Sequence, residues 1–364
     1  LYTRARKRGS VREILEVFAA YGAPTQILVD ARPHVGTTRL PRVITSMREH
    51  LEDAGVIFRF GSRVDGLVLD GARVCGVTLA SGMRIDAEAV VIAPGHSARD
   101  VQRWLDAAGV RLAFKPFAMG IRVEHPQTLI DRIQFGPLAG HPALGAATYR
   151  LVERVGDKGV FSFCMCPGGH IAPTSTEDDC QVVNGWSPTS RRGRFANSGF
   201  VVEVDTDTLA EAGVDREDPL AGVRLQRKLE RAAFSAGGGG FVAPAQRLAD
   251  FVNGERSNAL PESSYVRGLR PAPLHELLGP LVEPLQAALV RVGERMPGWL
   301  DDEAVAVGVE SRTSCPVRIE RDRDTLVAKG RPGLFPCGEG AGYSGGIVSS
   351  AADGIRVARA VERA

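Results

Sequence analysis

The amino-acid sequence predicts an α/β protein in which one domain is split and a second domain is inserted into it. Three observations carry that expectation. A helix followed by a meander of short strands occupies 41–95. A strand, a glycine-dense loop and a helix occupy 333–361. Between them runs a long stretch of different texture, with interrupted apolar runs and many Gly and Pro residues. Alternation of period two marks the strands, and spacing near 3.6 marks the helices.

The elements follow in order. Residues 11–20 have helical spacing and stop near Gly22 and Pro24. Residues 41–54 predict a helix: Pro41 suits a first turn, Val43, Ile44, Met47 and Leu51 share a face, and Gly55 follows the end. Residues 56–60 read as a strand. Asp70-Gly71, between the runs 64–69 and 73–79, predicts a hairpin. The apolar run Ala89-Val-Val-Ile92 predicts a buried strand that leads into Ala93-Pro94-Gly95 and a helix at 98–108. In the middle of the chain, strands are expected at 119–123, 160–165, 182–184 and 200–204, and helices at 219–235 and 281–294. A strand at 304–309 and another at 333–337 precede a helix over 347–361, whose apolar face runs through Ile347, Ala351, Ile355 and Ala358. The expected domains are therefore 1–97 with 305–364, and an insert over 98–304.

Composition narrows the function. At 364 residues the chain favours two domains over one. Lys and Arg number 45 against 43 for Asp and Glu, so the basic excess of a nucleic-acid or acidic-membrane binder is missing. Six cysteines are too few for a disulfide framework. No CxxC occurs, and no Cys/His set has zinc spacing, so no metal site is expected. A reducing, cytoplasmic home follows. No apolar run reaches the ~18–20 residues that span a bilayer.

The most informative segment is Gly338-Glu-Gly-Ala-Gly-Tyr-Ser-Gly-Gly346 with the helix behind it. Glycines let a backbone approach a ligand with no Cβ in the way. A helix start offers free N–H groups and the positive end of its dipole, which suits an anionic group. The chain ends some way after this loop, too soon for the second strand of a βαβ unit. The loop is therefore not read as the dinucleotide fingerprint, and no strand–GxGxxG–helix unit is expected in the chain.

Other candidates stand beside plainer readings. Cys164 and Cys166 share one expected strand and should face one side, with Cα atoms ~6.6 Å apart. That lies at the outer edge of disulfide geometry, so they are a redox pair or packing thiols. Arg312, at the end of an expected strand, could hold an anion or form a structural salt bridge. Tyr343 could donate a proton or only pack. His34 could face a substrate or be a plain loop histidine. Gln246 and Arg247 could line a pocket. Glu124 and His125 read as a structural strand end. No nucleophile elbow is present, which leaves a hydrolase without support.

Five segments together resemble a family: Ala31-Arg-Pro-His-Val-Gly-Thr37, Ala93-Pro-Gly95, Phe161-Ser-Phe-Cys-Met-Cys-Pro-Gly-Gly169, Ser311-Arg-Thr-Ser-Cys-Pro-Val-Arg318 and the glycine loop. The chain is similar to bacterial FAD-dependent dehydrogenases, NAD(P)/FAD-dependent oxidoreductases of the glutathione-reductase-like flavoproteins. The resemblance implies a split FAD/NAD(P)-binding Rossmann-like domain, incomplete because the family's GxGxxG unit would precede Leu1, with an inserted mixed α/β cap domain. It implies that Gly338, Glu339 and Gly340 meet the flavin ribitol and pyrophosphate. Gly345, Gly346 and Ile347 would offer N–H groups to the pyrimidine edge. The Val64 backbone would meet adenine, and Ala93 and Gly95 would close the FAD domain. Pro94 and Glu339 stand where the family more often has Thr and Asp. Arg312, Tyr343, Cys166 and His34 become the catalytic candidates. The implied reaction passes a hydride between FAD and a small organic substrate, with NAD(P)H as a transient reductant. Two alternatives stand beside it: a non-catalytic flavoprotein-derived domain, and a flavin monooxygenase.

Overall fold

The computed structural model describes residues 10–30 and 35–364. His34 lies outside the described residues. The chain forms two compact units. The first holds the described residues up to Lys115 together with 217–223 and 314–364. The second holds 116–216 and 224–313. Helices and strands occur in both, so the protein is mixed α/β.

In the first unit, strand Val90–Ile92 pairs in parallel with strand Leu334–Pro336. Sequence-distant ends of the chain thus share one ladder. Val74, Val90, Ile92, Leu105, Val110, Ile319 and Leu334 form one buried cluster over this pair. Leu105 belongs to helix Arg99–Ala107, and strand Leu112–Phe114 pairs with Val317–Ile319. Residues 98–115, expected with the insert, therefore pack with the first unit because their apolar side chains are buried in its core. The strands Val64–Asp70, Arg73–Leu79 and Arg84–Asp86 make a separate antiparallel meander, turning at Asp70 and Arg73 as the Asp-Gly signal predicts.

A second cluster in this unit joins Ile14, Phe18, Ile27, Val43 and Val348. It packs helices Ser10–Ala20, Leu40–Asp53 and Ile347–Val361 on their apolar faces. The expected strand at 56–60 does not form. No strand among the described residues pairs with it, and Ile57 and Phe60 are 77% and 74% exposed.

One buried ion pair ties the C-terminal helix to the loop before it. Arg321 donates to both carboxylate oxygens of Asp353, at 3.0 and 2.6 Å, and to the Pro336 carbonyl at 2.6 Å. The Gly338 N–H donates to the same carboxylate at 2.9 Å.

The second unit is built on an eight-stranded sheet. Its path runs Leu269–Pro271, Ala243–Arg247, Val305–Glu310, Phe117–Pro126, Phe195–Val204, Lys158–Pro173 and Val152–Val155, with Val183–Trp186 beside Lys158–Pro173. Strand Phe117–Pro126 is buried at every residue but its last, so neither face of the sheet meets water there. Helix Val282–Arg295 lies against Val152–Val155, Lys158–Pro173 and Phe195–Val204.

A bulge interrupts strand Lys158–Pro173. Cys166 pairs with Asn197, but Phe163 pairs with Gly199, so two residues oppose one. Cys164 sits at φ 47°, the left-handed region. Strand alternation fails at that point: Cys164 is exposed and Cys166 is buried. The two thiols still meet in a hydrogen bond, so they share a side but not an exposure.

The clamp on Asp353 yields a first prediction. Burial would raise this carboxyl, but the Arg321 guanidinium and the Gly338 N–H outweigh burial and hold it below its ordinary value. A carboxylate lowered on folding stabilises the protein above its unfolded pKa of ~3.9, and that stability is lost as pH falls below it. Asp353→Asn should flatten this acid-side loss. It should also lower stability near neutral pH by about 3–5 kcal/mol, because Arg321 is left buried without its counter-charge. Thermal melts of both proteins across pH 3 to 8 check this.

Candidate functional site

The parallel pair positions the site. Chain direction puts the carboxyl ends of Val90–Ile92 and Leu334–Pro336 side by side. The loop through Ala93 and Gly95 leaves one end, and the loop through Gly338–Gly346 leaves the other. Ligands in α/β sheets bind in crevices outside such carboxyl ends.

The two loops touch. A Cβ on Gly340 would collide with the Gly95 carbonyl and amide, so the loops approach backbone to backbone. A Cβ on Gly342 would strike the Val317 carbonyl and Arg318, and Gly342 also sits at φ 87°. Gly345 is different: nothing lies within 4 Å of its Cβ position. Gly346 meets only the Ser349 Oγ, at 4.0 Å. It caps helix Ile347–Val361 with no side-chain hydrogen bond. The helix start therefore keeps first-turn N–H groups beside an open, glycine-lined surface.

These glycines revise one expectation. Gly340, Gly342 and Gly345 stand at G-x-G-x-x-G spacing, contrary to the expectation that the chain holds no such unit. The motif is there as spacing, between a strand and a helix. Two of its glycines serve close backbone packing inside the unit and the third faces open space. No second strand follows the helix among the described residues.

Glu339 is half-buried, with Oε1 3.6 Å from His96 Nδ1. Burial raises its carboxyl, and Lys115 partly offsets this. Val64 opens the first meander strand opposite Leu79. Ala93, Gly95 and Ile347 are exposed. Tyr343 is held from both sides: its hydroxyl donates to the Ile319 carbonyl at 2.7 Å and accepts the Arg321 N–H at 3.0 Å. Arg321 lies 3.6 Å from the centre of its ring. The phenol is thus already committed within the protein.

The second unit holds Arg312 and Cys166. Arg312 donates to the Thr176 hydroxyl at 2.7 Å and lies 3.4 Å from both Glu230 oxygens. Ser311 also donates to Glu230, at 2.6 Å. Arg312 is therefore buried in an ion pair. Gln246 is likewise used up, accepting from the Leu274 N–H and meeting His275 Nδ1 at 2.8 Å. Arg247 pairs with Asp250 and Asp302. His125 meets the Trp299 carbonyl at 2.9 Å, and burial lowers its pKa to about 4. It is a neutral structural histidine, as the sequence suggested.

Sequence reasoning missed the polar centre of this unit. Arg122 is fully buried and donates to Glu310 at 2.9 Å, Asn197 at 2.8 Å, Asn184 at 3.4 Å and the Cys164 carbonyl at 2.7 Å. Its Nη2 also lies 3.6 Å from the Cys166 sulfur. Burial pushes Glu310 up to about 7, against the pull of Arg122. The signal was one arginine inside the apolar run 117–123.

The family described as "FAD-dependent protein, C-terminal domain-like" matches residues 116–313, the span of the second unit and more than half of the chain. An "Uncharacterized protein" of Clostridium beijerinckii is 37% identical over 351 residues, 95% of this chain and 64% of that protein. A "Soluble pyridine nucleotide transhydrogenase" of Mycobacterium bovis is 32% identical over 138 residues, 37% of this chain and 28% of that one. The chain thus spans less than two thirds of these relatives. Among solved structures, Aquifex aeolicus GidA aligns with 88% of this chain and 48% of its own, at 11% identity and a TM-score of 0.35. That likeness is too loose to carry a functional argument.

The loop contact yields a second prediction. Gly340→Ala should destabilise the protein by about 1–3 kcal/mol, because its methyl has only backbone to displace. Gly345→Ala, facing open space, should leave the melting temperature near that of the parent. Equal melting temperatures for the two variants would refute the close approach of the loops.

Proposed function

This chain belongs to the FAD-dependent protein, C-terminal domain-like family, and from that premise we propose that it is the substrate-handling and cofactor-closing part of a FAD-dependent oxidoreductase. One observation carries the reading. Two glycine-bearing loops meet at the carboxyl ends of a parallel strand pair, beside an uncapped helix start. The residues fit a flavin nucleotide in kind. Gly345 and Gly346 leave room for a planar group to lie on bare backbone, and the first turn of Ile347–Val361 supplies donors.

Gly345, Gly346 and Ile347 would hold the pyrimidine edge. Ala93, Gly95 and Gly338 to Gly340 would frame the ribitol and pyrophosphate, and Val64 the adenine. Glu339 suits ribitol hydroxyls better than phosphate, since a carboxylate accepts hydroxyl protons and repels a second anion. FAD, when bound, supplies hydride transfer to or from an organic substrate. The helix start lowers the cost of negative charge beside it. Tyr343 is held by Ile319 and Arg321, so we assign it a supporting role within the glycine loop rather than proton transfer, and Arg312 an ion-pair role inside the second unit with Glu230 and Thr176. We propose NAD(P)H as a transient reductant, supported by the stretch that is similar to a pyridine nucleotide transhydrogenase. Six free thiols fit a reducing, cytoplasmic compartment.

The test is FAD binding, followed by quenching of flavin fluorescence on titration. Gly346→Val should weaken binding about tenfold or more, a loss of ~1.4 kcal/mol or greater, with little change in melting temperature. Parent-like affinity in this variant would remove the loop from the cofactor site, and no quenching with the parent would remove FAD itself.

A further inference from the structure

We propose that Cys164 and Cys166 form a redox-active dithiol whose substrate is a small-molecule disulfide, with Cys164 as the attacking sulfur and Cys166 as the resolving one. The proposal stands on the second unit alone and does not depend on flavin binding.

The bulge supplies the geometry. It leaves Cys164 accessible while Cys166, two residues on, stays buried, with the two thiols in hydrogen-bond contact. Bulges re-aim side chains in this way, and they gather near functional sites. Cys164 is one of four residues other than glycine, among those described, with a positive φ. The left-handed backbone has a cost for a residue with a Cβ, and here that cost accompanies an accessible thiol.

The surroundings of the pair favour charge on the Cys164 sulfur. Arg122 is buried, lies 3.6 Å from the Cys166 sulfur and grips the Cys164 carbonyl. Asn197 stands directly opposite Cys166 in the ladder. Its Nδ2 amide is buried with no hydrogen-bond partner. An unused buried donor is costly, at about 1–3 kcal/mol. A hydrogen bond from the Cys166 thiol, and after it the Arg122 guanidinium, hold the Cys164 thiol below its ordinary value, while that same hydrogen bond and burial hold the Cys166 thiol well above its own. Thiolate is the reactive form. Cys180, Cys315 and Cys337 are buried and their thiols are pushed up, which leaves them inert by comparison.

The exchange balances in two steps. The Cys164 thiolate attacks one sulfur of the disulfide R–S–S–R, forming Cys164–S–S–R and releasing R–S⁻. Cys166 then gives its proton to solvent, and its thiolate attacks the Cys164 sulfur. The Cys164–Cys166 disulfide forms and the second R–S⁻ leaves. The two cysteines are oxidised, and R–S–S–R is reduced to two thiols.

The probe is dithiobis-nitrobenzoate, an aromatic disulfide, added to the reduced, folded chain at pH 7. All proteins carry Cys75→Ser to remove the other part-exposed thiol. The expected result is a fast release of about two thionitrobenzoates per chain. Intact mass should show a product lighter by two hydrogens with no probe attached. Cys164→Ser should slow the fast phase about tenfold or more. Cys166→Ala should release one equivalent and keep the probe as a stable adduct on Cys164. Three results would overturn the proposal: a lasting probe adduct on the parent, a fast phase that survives Cys164→Ser, or no fast phase at all. The parent mass alone decides between resolution and a lasting adduct, so the test stands even if Cys166→Ala fails to fold.

Discussion

The parallel pairing of Val90–Ile92 with Leu334–Pro336 is the constraint on which the candidate site depends. Parallel strands cannot be joined by a tight turn, so the chain must make a long excursion between them. Here the second unit lies within that excursion. Because the strands run the same way, both following loops emerge at one end. Had the strands paired antiparallel, Ala93 and Gly338 would lie at opposite ends and no shared crevice could form. Arg321 reinforces the arrangement from below, joining the Pro336 carbonyl to Asp353 on the final helix while Gly338 donates to the same carboxylate. The direction of that helix and the start of the glycine loop are thus fixed by one buried carboxylate.

Much of this was legible in the sequence because its signals are local. Helical spacing located 11–20, 41–54, 281–294 and 347–361 to within a residue or two. Asp70-Gly71 marked the hairpin, since that dipeptide suits the turn. The pairing of distant ends could be suggested because both blocks had the texture of one domain. What could not be read were features set by tertiary neighbours. Residues 56–60 have a strand's composition, yet no partner strand meets them among the described residues. Helix Arg99–Ala107 follows the loop at Gly95 and seemed to open the insert, but Leu105 is buried with Val90 and Leu334. A bulge is invisible to periodicity, so the opposite environments of Cys164 and Cys166 appear only once the ladder with Phe195–Val204 is known.

The glycine loop shows why a motif's spacing needs its surroundings. Nine residues hold five glycines, and they do not share one role. Gly340 and Gly342 are small because backbone crosses them closely. Gly345 and Gly346 face open space, where the absence of a side chain has no packing explanation inside the first unit. Packing glycines answer to stability, and open ones answer to whatever lies against them. The same division explains how Tyr343 can sit in the loop without facing a ligand: its hydroxyl satisfies Ile319 and Arg321, closing the loop's inner side.

The second unit sets a buried charge at its centre, and that has a consequence for the strands around it. Arg122 must satisfy its donors where no water reaches, or its burial would be prohibitive. It does so with Glu310, two asparagines and a backbone carbonyl. Gly185 has no Cβ where one would run into the guanidinium and Asn197. The carbonyl that Arg122 recruits belongs to Cys164, the residue with left-handed backbone. The inward carbonyl accompanies the left-handed backbone of the bulge, so the bulge and the arginine support one another. The buried arginine of the sheet and the accessible thiol above it are two ends of the same arrangement.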